Sequence, residues 1–201
     1  FLPDRQELRG FQSRLVQEEC CSDPSRDDYC KFLVEHGLSC DEPQGTRSEM
    51  YYLPQVSPYS EEFHPSAWVG SKSLEFISKQ QHESNPWFLF SSFIHPHPPC
   101  AVPKPWHKLY RAQLMPHAKV PANSEDLQCW INRQQNRGKH RDQGIDRNLQ
   151  RTFKAYYYAA ISFVDFQIGR ILKTLEDSGQ LENTLIVFTS DHGEFLGDYN
   201  C

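Results

Sequence analysis

The sequence has no long apolar run, no paired-cysteine motif and no surplus of positive charge. Its longest apolar stretch, Trp87-Phe-Leu-Phe-Ser-Ser-Phe-Ile94, is strand-sized and far short of the ~20 residues that cross a bilayer. No transmembrane segment is therefore expected. The seven cysteines (Cys20, Cys21, Cys30, Cys40, Cys100, Cys129 and Cys201) never occur as C-x-x-C, which removes zinc-ribbon and thioredoxin-like readings. Their odd number leaves at least one unpaired within the chain. Most are expected to be buried or free thiols, with a disulfide among the first four left open. A net charge of -5 without a basic face argues against nucleic acid as a partner. Phe1 opens on mixed polar sequence without a signal-peptide pattern, and both Phe1 and Cys201 read as cut points inside a longer protein. What is present is 201 residues, 38% hydrophobic and 23% charged. That length supports one domain with a core of its own.

Three helices and two strands carry the apolar pattern. Tyr29, Phe32 and Leu33 predict a helix over 28–35, stopped by Gly37. Residues 41–65, with Pro43, Gly45, Pro54, Pro58 and Pro65, read as an extended surface segment. Ser66 is a suitable N-cap for a second helix with Trp68, Val69, Leu74, Phe76 and Ile77 on its apolar face. Trp87–Phe93 reads as a buried strand, and Pro96, Pro98, Pro99, Pro103 and Pro105 predict an irregular, rigid loop after it. Residues 116–150 are polar and expected at the surface. The clearest helix holds Phe153, Tyr156, Tyr157, Ala160, Ile161, Val164, Ile168, Ile171, Leu172 and Leu175 at spacings of three and four, with a stop at Asp177-Ser178-Gly179. Thr184–Ser190 then reads as a second strand, breaking into Asp191-His192-Gly193. This alternation predicts an α/β fold, a mostly parallel sheet flanked by helices, with the ligand beyond the carboxyl ends of the strands.

Two polar clusters stand at those ends. Asp191-His192-Gly193-Glu194 offers a carboxylate and an imidazole to a metal ion, with Gly193 allowing the turn that follows. The bland alternative is a strand-end turn with a capping Asp. In Phe93-Ile-His-Pro-His-Pro-Pro99, a proline-locked loop holds His97 at little entropic cost, ready to donate to an anionic substrate. His95 and His97 as a zinc clip, or as incidental loop residues, are the alternatives.

Taken together and in order, these segments resemble the sulfatase family of the alkaline-phosphatase-like superfamily. The matching stretches are Asp27–Leu33, His64–Phe76, Pro86–Pro99, Tyr157–Leu172 and Leu185–Asp198. The resemblance implies a partial alkaline-phosphatase-like sandwich, with residues 1–201 forming part of a sulfatase catalytic domain. It implies Asp191 and His192 as metal ligands, usually for calcium, with magnesium or manganese as alternatives. It implies His97 as the histidine that contacts the sulfate and assists the leaving group, and Asp165 and Gly169 as structural positions. The substrate implied is a small-molecule or carbohydrate sulfate ester, and the location exported, periplasmic or lysosomal. Oligomeric state is not readable.

The family's formylglycine nucleophile, made from Cys or Ser in [Cys/Ser]-x-Pro-x-Arg, is expected outside this chain. Ser22-Asp-Pro-Ser-Arg26 fits those letters but is followed by Asp27-Asp-Tyr-Cys30 rather than the family's Leu-rich helix and Thr-Gly. Gly138-Lys139-His140 has the wrong spacing and order for the family's lysine motif. The expectation is a sulfatase segment that is inactive alone. A phosphodiesterase or phosphonate monoester hydrolase of the same superfamily, or a non-catalytic remnant, are the alternatives. A zinc hydrolase built on His95 and His97 lacks a third ligand at useful spacing.

Overall fold

The computed structural model describes residues 7–139 and 146–201. Helix α1 (Asp28–Glu35) starts where Asp27 accepts a hydrogen bond from the Cys30 amide. It buries Tyr29, Cys30 and Leu33. Strand β1 (Gln55–Val56) follows, then α2 (Pro65–Gln80). Pro65 fits the first turn of α2 because no intrahelical partner awaits its missing N–H. Strand β2 (Ala101–Val102), short α3 (Ser124–Leu127), α4 (Trp130–Lys139) and α5 (Arg147–Asp177) complete the order.

Helix α5 is the spine, 31 residues long. The Asp146 carboxylate accepts from the amides of Asn148 and Leu149 at its start. At its end Gly179 takes φ +70°, and the Gln180 amide donates back to the Leu175 carbonyl at 2.9 Å. That is the glycine-dependent left-handed stop that Asp177-Ser178-Gly179 predicts. Its buried face packs on α2 and on β2. Gly70 of α2 sits so close to α5 that an added Cβ would lie 2.8 Å from Gln167 Oε1. Phe163 meets His64 and Trp106 edge-on, at ring separations of 4.9 and 5.1 Å. A second cluster gathers Tyr29, Cys30, Leu33, Cys40, Tyr59, Trp68 and Val69 between α1 and α2.

Several local expectations are corrected. The cap of α2 is His64 rather than Ser66: its Nδ1 accepts from the Ser66 amide, so Nε2 carries the proton and donates to the Ala101 carbonyl at 2.9 Å. The segments read as surface and as irregular loop contribute β1 and β2, which pair in parallel with Gln55 opposite Ala101. That pair is the only sheet among the described residues.

Neither Trp87–Phe93 nor Thr184–Ser190 is assigned to a strand. A strand needs a ladder partner, and neither finds one among the described residues. Trp87–Phe93 nonetheless alternates in exposure with period two. Trp87, Leu89, Ser91 and Phe93 are partly covered, while Phe88 and Phe90 are 72% and 68% exposed. Trp87 meets Phe76 edge-on and Ser91 bonds to Ser73, so α2 covers one face, while the other is largely open apart from Phe11 stacked on Phe88 at 5.8 Å. Leu185, Val187 and Phe188 are exposed as well.

The open question of a disulfide resolves to thiols. Cys20, Cys21, Cys30, Cys40, Cys100 and Cys129 are all reduced, and the Cys30 and Cys40 thiols donate to the carbonyls of Cys21 and Ser22.

Candidate functional site

Three loops meet around His97. The first is its own. The His97 amide donates to the Ile94 carbonyl at 3.0 Å, and the Cys100 thiol donates to that of Pro96. The peptide bonds before Pro96 and Pro99 are cis. The second loop, residues 46–50, is clasped by Gln55, whose amide group bonds to Thr46 N, Thr46 O and Met50 O. Because Gln55 is in register with Ala101, this loop is tied to the His97 loop through the β1–β2 pair. The third is residues 16–19, pinned to the start of α1: Asp28 accepts from the Val16 amide and Asp27 from the Glu18 amide.

These anchors place Glu19, Arg47 and Tyr51 beside His97. Glu19 Oε1 receives Arg47 Nη1 at 2.6 Å and the Tyr51 hydroxyl at 3.2 Å, and His97 Nδ1 lies 3.3 Å away. His97 Nδ1 also faces the Pro98 carbonyl at 2.7 Å. Burial and then the Glu19 charge push the Tyr51 phenol up to about 12, so it remains a donor. Glu19, Arg47 and Tyr51 had no signal in the sequence: they lie in an irregular polar stretch, and only tertiary pairing brings them together.

His97 and His192, predicted separately, come together with ring centroids 6.1 Å apart. His192 Nδ1 lies 3.0 Å from the Gly193 carbonyl, a bond that puts the proton on Nδ1 and leaves Nε2 for a cation. That same bond, and then the Asp191 charge, raise the His192 imidazole above its ordinary value. Asp191 Oδ2 stands 3.5 Å from His192 Nε2. Two donors on one calcium-sized ion, each ~2.3–2.6 Å from it at roughly a right angle, sit about that far apart. The pair therefore fits as part of a coordination sphere. Both side chains are open to solvent, and among the described residues no group of three or more His, Cys, Asp or Glu converges on one point.

His95 is not a partner of His97 in a clip. It is buried, 4.8 Å from the ring of His64, and its Nε2 lacks a hydrogen-bond partner. Burial, then the neighbouring His97, push it down to about 4. The Ser22–Arg26 stretch is an exposed turn leading into α1, in which Asp23 Oδ1 accepts from the Ser25 amide and hydroxyl. Gly138 and Lys139 end α4, and His140 lies outside the described residues.

The helix-backed α/β framework is that of the alkaline-phosphatase-like hydrolases. Phosphonate monoester hydrolases from Silicibacter pomeroyi and Agrobacterium radiobacter superpose on 96% and 95% of the chain, with TM-scores of 0.73 and 0.71 and identities of 22% and 27%. The first of these speaks to the fold alone. The sulfatase family profile matches residues 9–200, and the chain belongs to that family of hydrolases. An arylsulfatase of Clostridium perfringens is 33% identical over 189 residues, 87% of this chain. The match takes up 36% of that relative, and 40% of each superposed hydrolase.

Proposed function

We propose that this chain is the substrate- and metal-facing part of a catalytic domain that hydrolyses sulfate esters of small molecules or carbohydrates, with the formylglycine nucleophile and the C-terminal subdomain supplied outside residues 1–201. The observation that carries this reading is the sulfatase profile, which runs through both the His97 loop and Asp191-His192. Asp191 and His192 would hold a divalent cation, calcium first, with magnesium or manganese as alternatives. When bound, that ion neutralises the oxygens of the esterified anion.

His97 does the remaining work assigned to this chain. Its Nδ1 is engaged by acceptors, which leaves Nε2 to face the substrate and to donate to the leaving oxygen. An exported, periplasmic or lysosomal location is proposed with the family. No helix among the described residues is long and apolar enough to cross a membrane.

The Agrobacterium hydrolase, at 27% identity, favours a second reading: a phosphonate monoester as substrate. Both are tested on the full-length protein, with 4-nitrophenyl sulfate against 4-nitrophenyl phenylphosphonate as substrates. A sulfatase turns over the first with the higher kcat/KM, and H97A lowers its kcat by about 10²- to 10⁴-fold. Preference for the phosphonate supports the second reading, and an H97A enzyme of undiminished kcat contradicts the role of His97 in both.

A further inference from the structure

Two donors and one imidazole nitrogen, from two loops, converge on one oxygen of Glu19. Arg47 Nη1 lies at 2.6 Å, the Tyr51 hydroxyl at 3.2 Å and His97 Nδ1 at 3.3 Å. A partly exposed Glu–Arg pair contributes little to stability by itself. Such a pair alone is an ordinary surface contact. The imidazole nitrogen changes the reading, because it belongs to the proposed site.

His97 Nδ1 has an acceptor-only group on each side, the Pro98 carbonyl at 2.7 Å and the Glu19 carboxylate. Both neighbours require N–H at that atom, which selects the tautomer and turns Nε2 away from them. A carbonyl of the adjacent residue moves with the loop. Glu19 does not, because it is held from elsewhere. The Glu18 amide before it is fixed at 2.6 Å by Asp27, and the Arg47 guanidinium lies over the Tyr51 ring at 4.7 Å, which orders both donors.

We infer that Glu19 is the positioning residue for His97: held by Arg47 and Tyr51, it fixes the ring's tautomer and direction so that Nε2 meets the substrate. The inference rests on the reading of His97 above. The arrangement follows the general logic in which a carboxylate orients a working imidazole. Arg47 Nη1 and the Tyr51 hydroxyl proton are both directed at Glu19, which is the role assigned to them here.

The test is steady-state kinetics of the full-length protein on the better of the two substrates, with E19A, E19Q, H97A and E19A/H97A. E19A is expected to lower kcat by about 10- to 100-fold, with KM within about threefold. E19Q keeps an acceptor oxygen and should recover kcat to within about fivefold of the parent. In the H97A background E19A should cost no more than about twofold, since a residue acting through His97 has nothing left to position. Where E19A lowers the melting temperature, E19L keeps the bulk, removes the acceptor and carries the same expectations.

A parent-like kcat in E19A or E19L overturns the inference, as does a full Glu19 effect that persists without His97. If H97A itself leaves kcat intact, the assignment of His97 has failed. Loss in H97A with none in E19A removes only the role of Glu19.

Discussion

Asp27 Oδ2 accepts a hydrogen bond from the Glu18 amide at 2.6 Å while its other oxygen caps α1 through the Cys30 amide at 2.7 Å. One buried carboxylate thus starts a helix and anchors the segment that delivers Glu19. D27A should remove a cap and strand a second donor, costing about 2–4 kcal/mol. D27N can satisfy only one of the two amides and should fall between. Chemical denaturation of the three proteins checks this ordering, and an Asn variant as stable as the parent contradicts the double role.

The buried His64–His95 pair sets a dependence on pH. Burial first, and then neighbouring histidine charge, hold His95 at about 4 and His64 well below the ordinary 6.5. A histidine whose folded pKa is depressed binds its proton more readily in the unfolded chain. Stability is therefore complete above about pH 6.5 and declines as pH falls toward 4, with His95 alone accounting for ~3 kcal/mol by the lower limit. Melting temperatures across this range should fall with acid, and less steeply in H95F. A flat profile would show that the rings become charged in place.

Two helix glycines should respond in opposite directions. A Cβ at Gly70 meets Gln167 Oε1 at 2.8 Å, and that oxygen is already taken by Arg170 Nη1 at 2.6 Å. G70A should destabilise by about 1–3 kcal/mol. Gly169, inside α5, has nothing within 4 Å of an added Cβ, so G169A should stabilise by about 0.5–1 kcal/mol through helix propensity. Urea titrations of the pair test the α2–α5 packing directly.

Residues 1–201 prepared alone should bind calcium no more tightly than micromolar, because Asp191 and His192 offer two donors where calcium takes about six to eight. They should show no turnover of an aryl sulfate. Submicromolar affinity by calorimetry would reveal ligands that the described residues do not bring together, and turnover would place a nucleophile inside this chain.

Helices α1, α2 and α5 were readable because their signals are local, whereas α3 and α4 fall in a stretch read only as polar surface. The Tyr29–Leu33 spacing and Gly37 lie within a dozen residues and mark α1. The apolar stripe and stop of α5 are equally self-contained. The first turn of α5 was not, since it depends on Asp146 in a polar stretch. Strand pairing is non-local, and the sequence cannot say that Gln55 will lie opposite Ala101. In the candidate site, motifs single out His97, Asp191 and His192, whose roles are proposals, while nothing in the sequence marks Glu19, Arg47 and Tyr51. Their common point is defined by folding alone. His95, left between a zinc clip and an incidental loop residue, was undecidable for a related reason: two residues from His97 in sequence, it turns inward to His64.

The exposed run Leu185–Phe188 leads without a break into Asp191 and His192. Its nearest firm footing is Gln180, which bonds to the Trp87 indole and the Ile77 carbonyl. Past His192 the chain is held again where the Lys119 amide donates to Asp198 and the Tyr199 amide donates to the Lys119 carbonyl. Mechanically the two proposed ligands therefore sit in mid-span between two footings, and the stiffness of that span governs how sharply they are aimed. Any flanking strand that pairs with this run shortens the free span and removes orientational entropy before ligand binding. On the proposed reading, cation affinity would then act as a strain gauge for completion of the sheet, rising with each neighbour that joins it although neither proposed ligand has changed.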